Sequence, residues 1–160
     1  MKAGILFDDL DIRVGDAPDP QLAPGDVLVQ PHFAGICGTD VHIYRGEFHD
    51  RVKFPAIQGH EFGGVVAEVG RGVTRFKPGD RVVVDPVVSC HACPACLEGH
   101  LNACRTLKLL GVDLPGGYGQ GLAVPERHVF RLPDGVAMKH APMVEMYGLG
   151  HHILDRKSVV

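Results

Sequence analysis

Short apolar runs separated by glycine and proline set the pattern of this chain of 160 residues. AGILF (3–7) and DIRVG (11–15) predict an opening pair of strands. APGDVLVQPHFA predicts a turn at Pro24-Gly25 and then a strand from Asp26 to Ala34. EFGGVVAEVG (61–70) predicts another strand, in which Gly63 and Gly64 mark a bulge or a close backbone approach. KPGDRVVVDP (77–86) repeats the earlier grammar: a Pro-Gly turn, an aspartate, and an apolar strand that stops at Pro86. RHVFRLPDGV (127–136) adds one more strand and a turn. Many short strands at irregular spacing predict a mainly β fold with short helices, and a barrel is its natural closure.

Two helices are expected. Thr39 or Asp40 is the expected cap of a short helix over VHIYRG. A second helix is expected from about His140 to Leu154, where the apolar positions fit a helical period loosely and Gly148 and Gly150 weaken it. No linker or low-complexity stretch divides the chain.

Composition narrows the function classes. Apolar residues make up 45%, enough for a globular core in one domain. The net charge is −3 and the lysines and arginines are scattered, which argues against a nucleic-acid partner and against a membrane surface. The opening MKAGILFDDLDI lacks the apolar length and the cleavage site of a secretory leader, so the expected location is cytoplasmic. In a reducing compartment clustered cysteines are metal ligands more often than disulfides.

SCHACPACLEGHLNAC places Cys90, Cys93, Cys96 and Cys104 within positions 89–104. Four thiolates complete a tetrahedral Zn2+ and leave no open position, so such a site is structural. The segment has few large apolar residues, and a metal cross-link would replace the core it lacks. The competing readings are an iron–sulfur cluster, whose familiar run brings its last cysteine sooner and follows it with proline, and disulfides or idle thiols. His91 and His100, inside the same lobe, read as solvated side chains because four cysteines already fill the shell.

Cys37 stands alone upstream, with His60 and Glu61 following in GHEFGG. Singly, the cysteine reads as a small buried hydrophobe and the histidine as a surface or satisfied core group. Together, a thiolate, an imidazole and a carboxylate suit a zinc with three protein ligands and one open position. Their sequence separation is not a compact zinc motif, and spacing alone leaves both readings open.

GICGTDVHIYRGEF, FPAIQGHEFGGVVAEVG, FKPGDRVVV and the four-cysteine lobe, in that order, resemble the N-terminal catalytic domain of zinc-dependent medium-chain alcohol and polyol dehydrogenases. The CGTD-x-H form is most similar to the threonine and sorbitol dehydrogenase branch. The resemblance implies a GroES-like β-barrel over residues 1–154, with the zinc lobe 89–105 inserted and two zinc sites, one catalytic and one structural. It implies that Cys37 and His60 ligate the catalytic zinc and that Glu61 or Glu145, or both, supplies the carboxylate, with exchange between a carboxylate and water. Asp40 matches an acid that orients the ligating histidine, Thr39 a group that takes the hydroxyl proton, and His42 a relay to solvent. Without the resemblance, Thr39 reads as a helix cap and His42 as an exposed helix residue. The chain departs from the pattern at GGYGQG (116–121), where glycines replace two larger residues, and at Met146-Tyr147 after Glu145; both read as changes near the metal.

The implied reaction is oxidation of a secondary alcohol by hydride transfer to NAD(P). The G-x-G-x-x-G fingerprint of a dinucleotide site, between a strand and a helix, does not occur, so no Rossmann domain is expected in this chain. Residues 155–160 are expected to begin a truncated connection to such a domain. The expected partners are a small alcohol or polyol substrate and either a second copy or a separate dinucleotide-binding chain. Two alternatives stand beside this reading: a non-enzymatic zinc-binding barrel that serves as an interaction module, and an inactive remnant.

Overall fold

The computed structural model describes residues 1–157, with side chains through Asp155; the remainder of the expected connection over 155–160 lies outside the described residues. Ten strands run in order: β1 (Lys2–Asp8), β2 (Asp11–Asp16), β3 (Asp26–Ala34), β4 (Ala56–Ile57), β5 (Phe62–Val69), β6 (Arg81–Val84), β7 (Val87–Val88), β8 (Lys108–Leu109), β9 (Leu122–Pro125) and β10 (Val129–Arg131). Three α-helices join them: α1 (Gly38–Tyr44), α2 (Pro94–Leu97) and α3 (Met143–Lys157). The fold is a mainly β, GroES-like half-barrel with short helices.

An antiparallel sheet in the order β10-β6-β5-β3-β9 forms the barrel wall. Its inward residues Val27, Val29, Phe62, Val66, Val82, Val84, Leu122, Val124 and Val129 make one buried core with Phe76 and Leu110. A second sheet, β2-β1-β4, carries Leu6 into a smaller core with Ile43, Val52 and Val112. The two Pro-Gly turns are alike: Asp26 N–H donates to the Ala23 carbonyl and Asp80 N–H to that of Lys77. Gly25 at φ +84° and Gly79 at φ +90° take the left-handed position that a type II turn requires.

The β3–β5 ladder shifts register between Pro31 and Phe33, opposite Gly64 and Gly63. A Cβ on Gly64 would collide with the Gln30 carbonyl, so the close approach read from the sequence is present at the bulge. The short strands β4, β7 and β8 and the edge strand β9 carry too few residues for alternation to reveal them.

The cap of α1 differs from expectation. Cys37 is the N-cap, Thr39 lies in the first turn, and the Asp40 carboxylate accepts the Cys37 N–H at 2.8 Å. Asp40 thus acts as the reaching-back acid of a capping box rather than as the cap itself. Helix α3 starts a turn later than expected because the short 3-10 turn Met138–His140 precedes it.

Candidate functional site

Residues 89–107 leave the barrel from β7 and return on β8, which pair with each other. Within this lobe only Cys96 and Cys104 are buried among its larger side chains, whereas Leu97 is 74% exposed. The segment has no apolar core. The four cysteine sulfurs all lie within 4.8 Å of one another, with Cys93–Cys96 at 3.5 Å and Cys90–Cys96 at 3.9 Å. Tetrahedral Zn–S bonds place sulfurs about 3.8 Å apart, so the set fits zinc. No disulfide links any of the five cysteines. Backbone N–H groups of Ala92 and Cys93 pull the Cys90 thiol down to about 6, while burial and the neighbouring thiols of Cys93 and Cys104 push Cys96 up to about 12. A cluster of this kind cannot ionise fully without a cation to share. His91 and His100 are both exposed.

A second constellation forms inside the barrel mouth. Cys37 comes from the start of α1, and His60 and Glu61 from the turn that enters β5. One ligand atom from each lies within 4.8 Å of the others, although Cys37 and His60 are far apart in sequence. His60 and Glu61 are 6% and 8% exposed, close to the limit at which an ionisable group needs a partner. His60 Nδ1 is buried without a hydrogen-bond partner and lies 3.9 Å from Asp40 Oδ1, too long for a hydrogen bond. A small ring rotation toward Asp40 would satisfy Nδ1 and leave Nε2 for a cation. This orphaned nitrogen and the mixed S/N/O donor set fit a zinc site with three protein ligands.

The surrounding network is held by a tyrosine that sequence reasoning passed over. Tyr118 O–H donates to the Gly35 carbonyl at 2.8 Å and to Asp40 Oδ2 at 3.1 Å. Burial and the nearby carboxylate of Asp40 raise its pKa well above the usual tyrosine range, so it remains a donor. Gln58, wholly buried, donates to the Asp40 carbonyl at 3.1 Å, and Gly59 N–H donates to Asp40 Oδ1 at 3.3 Å. A Cβ on Gly35 would press on the Glu61 side chain, so a larger residue there would require Glu61 to shift. The signal that could have found Tyr118 was its place directly after Gly116-Gly117, which bond to the carbonyls of Ile57 and Gly59.

Thr39 Oγ1 is 3.8 Å from Cys37 Sγ. His42 is exposed and its Nδ1 pairs with Glu47 Oε2 at 2.6 Å. Glu145, in the first turn of α3, is not among the three residues drawn within 4.8 Å. It is half-buried, and burial and then the charge of Glu61 raise its pKa, partly offset by His60. GGYGQG is a loop, as read, but its two distinctive glycines face away from these residues. A Cβ on Gly119 would meet Met1 and Ala3, and one on Gly121 would meet Pro20 and Leu28. The expectation that they alter the metal surroundings is therefore corrected: Gly119 faces the N-terminal strand, and Gly121 faces Pro20 and β3.

The half-barrel thus carries a four-thiolate lobe and, at its mouth, a three-residue S/N/O donor set. The chain belongs to the alcohol dehydrogenase GroES-like domain family, whose description matches residues 23–134. It is 41% identical over 145 residues to 2-dehydro-3-deoxy-L-galactonate 5-dehydrogenase of Pseudoalteromonas atlantica, covering 91% of this chain and 42% of that protein. It is 35% identical over 162 residues to sorbitol dehydrogenase of Bacillus subtilis, covering 99% and 46%. The crystal structure of the alcohol dehydrogenase rspB from Escherichia coli CFT073, complexed with NADH, superposes with a TM-score of 0.83 at 41% identity, covering 91% of this chain and 42% of that one. The chain spans less than half the length of these relatives. No helix among the described residues is long and apolar enough to cross a membrane.

Proposed function

We propose that residues 1–154 form the catalytic domain of a zinc-dependent alcohol or polyol dehydrogenase that oxidises a secondary alcohol with NAD(P). The dinucleotide would be held by a part of the relatives that this chain does not span. The observation that carries the reading is the convergence of Cys37, His60 and Glu61 on one point from separate elements. Relatives named for sorbitol and for a deoxygalactonate support a hydroxylated small molecule as substrate.

Zinc bound at Cys37, His60 and Glu61 would supply positive charge that lowers the pKa of a substrate hydroxyl. Asp40 would orient His60 and fix its tautomer once the imidazole turns toward it, and it is itself pinned by the Cys37 N–H, the Gly59 N–H and Tyr118. Thr39, beside Cys37, would receive the hydroxyl proton at Oγ1 while releasing its own, and His42, at the surface, would relay a proton to solvent. Glu145, in the first turn of α3, would be the alternate carboxylate for the same ion. Cys90, Cys93, Cys96 and Cys104 hold a structural zinc that orders the lobe.

The test is metal content joined to complementation. Purified chain should carry two Zn2+, and Cys37→Ser should lower this to one while leaving the lobe metallated. Mixing with a separately expressed dinucleotide-binding domain should restore turnover of a secondary alcohol. One zinc in the unaltered chain, unaffected by Cys37→Ser, would remove the catalytic site.

A further inference from the structure

The last glycine of GGYGQG, Gly121, borders two adjoining cavities away from the donor set. The larger, of 470 Å³, lies beside the free edge of β9, between that strand, Ile57 of β4, Val88 of β7 and the turn at Leu114, with residues 17–21 along its rim. The smaller, of 230 Å³, lies against Leu28 of β3 and Ala67 of β5. Both walls include Met1, Asp19, Pro20 and Gly121. A Cβ on Gly121 would stand 3.3 Å from Pro20 and 3.5 Å from Leu28, at the boundary between the two. The dehydrogenase pattern carries a larger residue at this position, so the chain lacks a side chain that would occupy the boundary.

The larger cavity is a gap in the packing and not an exposed apolar patch. On its wall Leu110, Leu122 and Val124 are buried, and Ile57, Val88 and Leu114 are half-buried. Its only charged groups among the described residues are the Met1 ammonium and the Asp19 carboxylate, and they pair with each other. Met1 N donates to Asp19 Oδ1 at 2.7 Å and to the Ala17 carbonyl at 2.9 Å, which ties residues 17–19 to the start of β1. Pro18, Pro20, Pro115 and Pro125 stiffen the rim, because each fixes its own backbone angle. An ion entering this space would leave water for an aliphatic wall that holds no free partner.

We propose that the larger cavity is a binding site for a flat, uncharged aromatic molecule of one or two rings, separate from the site at Cys37, His60 and Glu61. None of those three residues lines it. A dry cavity of about 150 Å³ lined by aliphatic side chains already admits benzene. Stiff walls favour a stiff ligand, because neither then loses much conformational freedom on binding. The absent side chain at position 121 gives the ring room to reach the smaller cavity. The site needs neither bound zinc nor the dehydrogenase reading.

The experiment titrates indole into the full chain, labelled at its isoleucine, leucine and valine methyls and followed by NMR. Indole should shift the methyls of Ile57, Val88, Leu114 and Val124 in a saturable way, with a Kd of about 1 mM or below. The methyls of Val83, Leu132 and Val144, around the cavity between β6, β10 and α3, should stay in place. Indole-3-carboxylate, which adds only a charged group, should bind at least about tenfold more weakly. Gly121→Leu places a side chain at the boundary and should weaken indole by about tenfold; the methyl map of the unaltered chain decides the matter even where that variant fails to fold. The inference is overturned by the absence of saturable shifts up to about 10 mM indole, by shifts confined to Val83, Leu132 and Val144, by equal binding of the carboxylate, or by a folded Gly121→Leu that binds indole as tightly as the parent. Shifts of the same wall methyls with protein concentration alone would assign the cavity to a second copy of the chain, and would equally overturn the claim of a small-molecule site.

Discussion

Replacing Tyr118 with phenylalanine removes one oxygen and disturbs two elements of the candidate site. The hydroxyl donates to the Gly35 carbonyl at 2.8 Å and to the Asp40 carboxylate at 3.1 Å. A hydrogen bond to a charged group contributes about 1.5–3 kcal/mol, and the half-buried setting places the loss near 2 kcal/mol. Phenylalanine keeps the ring that packs on Gly59, so the cost is confined to the polar contacts. Asp40 then loses one of the groups that aim it at His60, and cobalt affinity at the Cys37–His60–Glu61 site should fall by about threefold to tenfold. The four-thiolate site should be untouched. Urea unfolding and cobalt titration of Tyr118→Phe read both effects. The neutral phenol is favoured in the fold, so the advantage of the unaltered protein should persist below about pH 10 and shrink as the pH rises beyond it. Stability within about 0.5 kcal/mol of the parent, with unchanged cobalt binding, would refute the role assigned to this hydroxyl.

The remaining predictions concern other parts of the same frame. Asp80 is buried, and its hydrogen bond from Lys77, opposed by burial and aided by Arg131, lowers its pKa to about 2. Because the folded pKa is depressed, Asp80→Asn should cost about 1–2 kcal/mol near neutrality after allowance for its exposed partners. That difference should vanish as the pH falls from about 4 toward 2, which urea unfolding at several pH values will test. Gly59 sits at φ +94°, and a Cβ there would meet the Tyr118 ring at 2.5 Å, so Gly59→Ala should cost about 3 kcal/mol or more by the same assay. Chelation of the lobe zinc should raise amide hydrogen exchange across residues 89–107 while the β3–β5 core keeps its protection.

Much of this frame was legible because its signals are local. The Pro-Gly turns before Asp26 and Asp80 punctuate strands whose alternation is clear, and the cysteine spacing announces the four-thiol cluster that the fold assembles. Cys37 as the N-cap was missed because capping preferences favour Thr39 and Asp40, while here Asp40 reaches back from inside the helix. Tyr118 was missed for a different reason. Its partners, Gly35 and Asp40, are close only after the barrel closes, and no period along the chain encodes that meeting. Helix α3 brings Glu145 within electrostatic reach of Glu61 and His60, outside the group drawn within 4.8 Å, and no period along the chain encodes that approach.

The lobe departs and returns through neighbouring rungs, with Val87 opposite Leu109 and Val88 opposite Lys108. Its two ends are therefore already joined across the ladder, whatever lies between them. A graft could lengthen, shorten or exchange the intervening stretch without asking the barrel to move. Gain or loss of a structural metal then becomes a change of accessory, available to this architecture independently of the chemistry at its mouth.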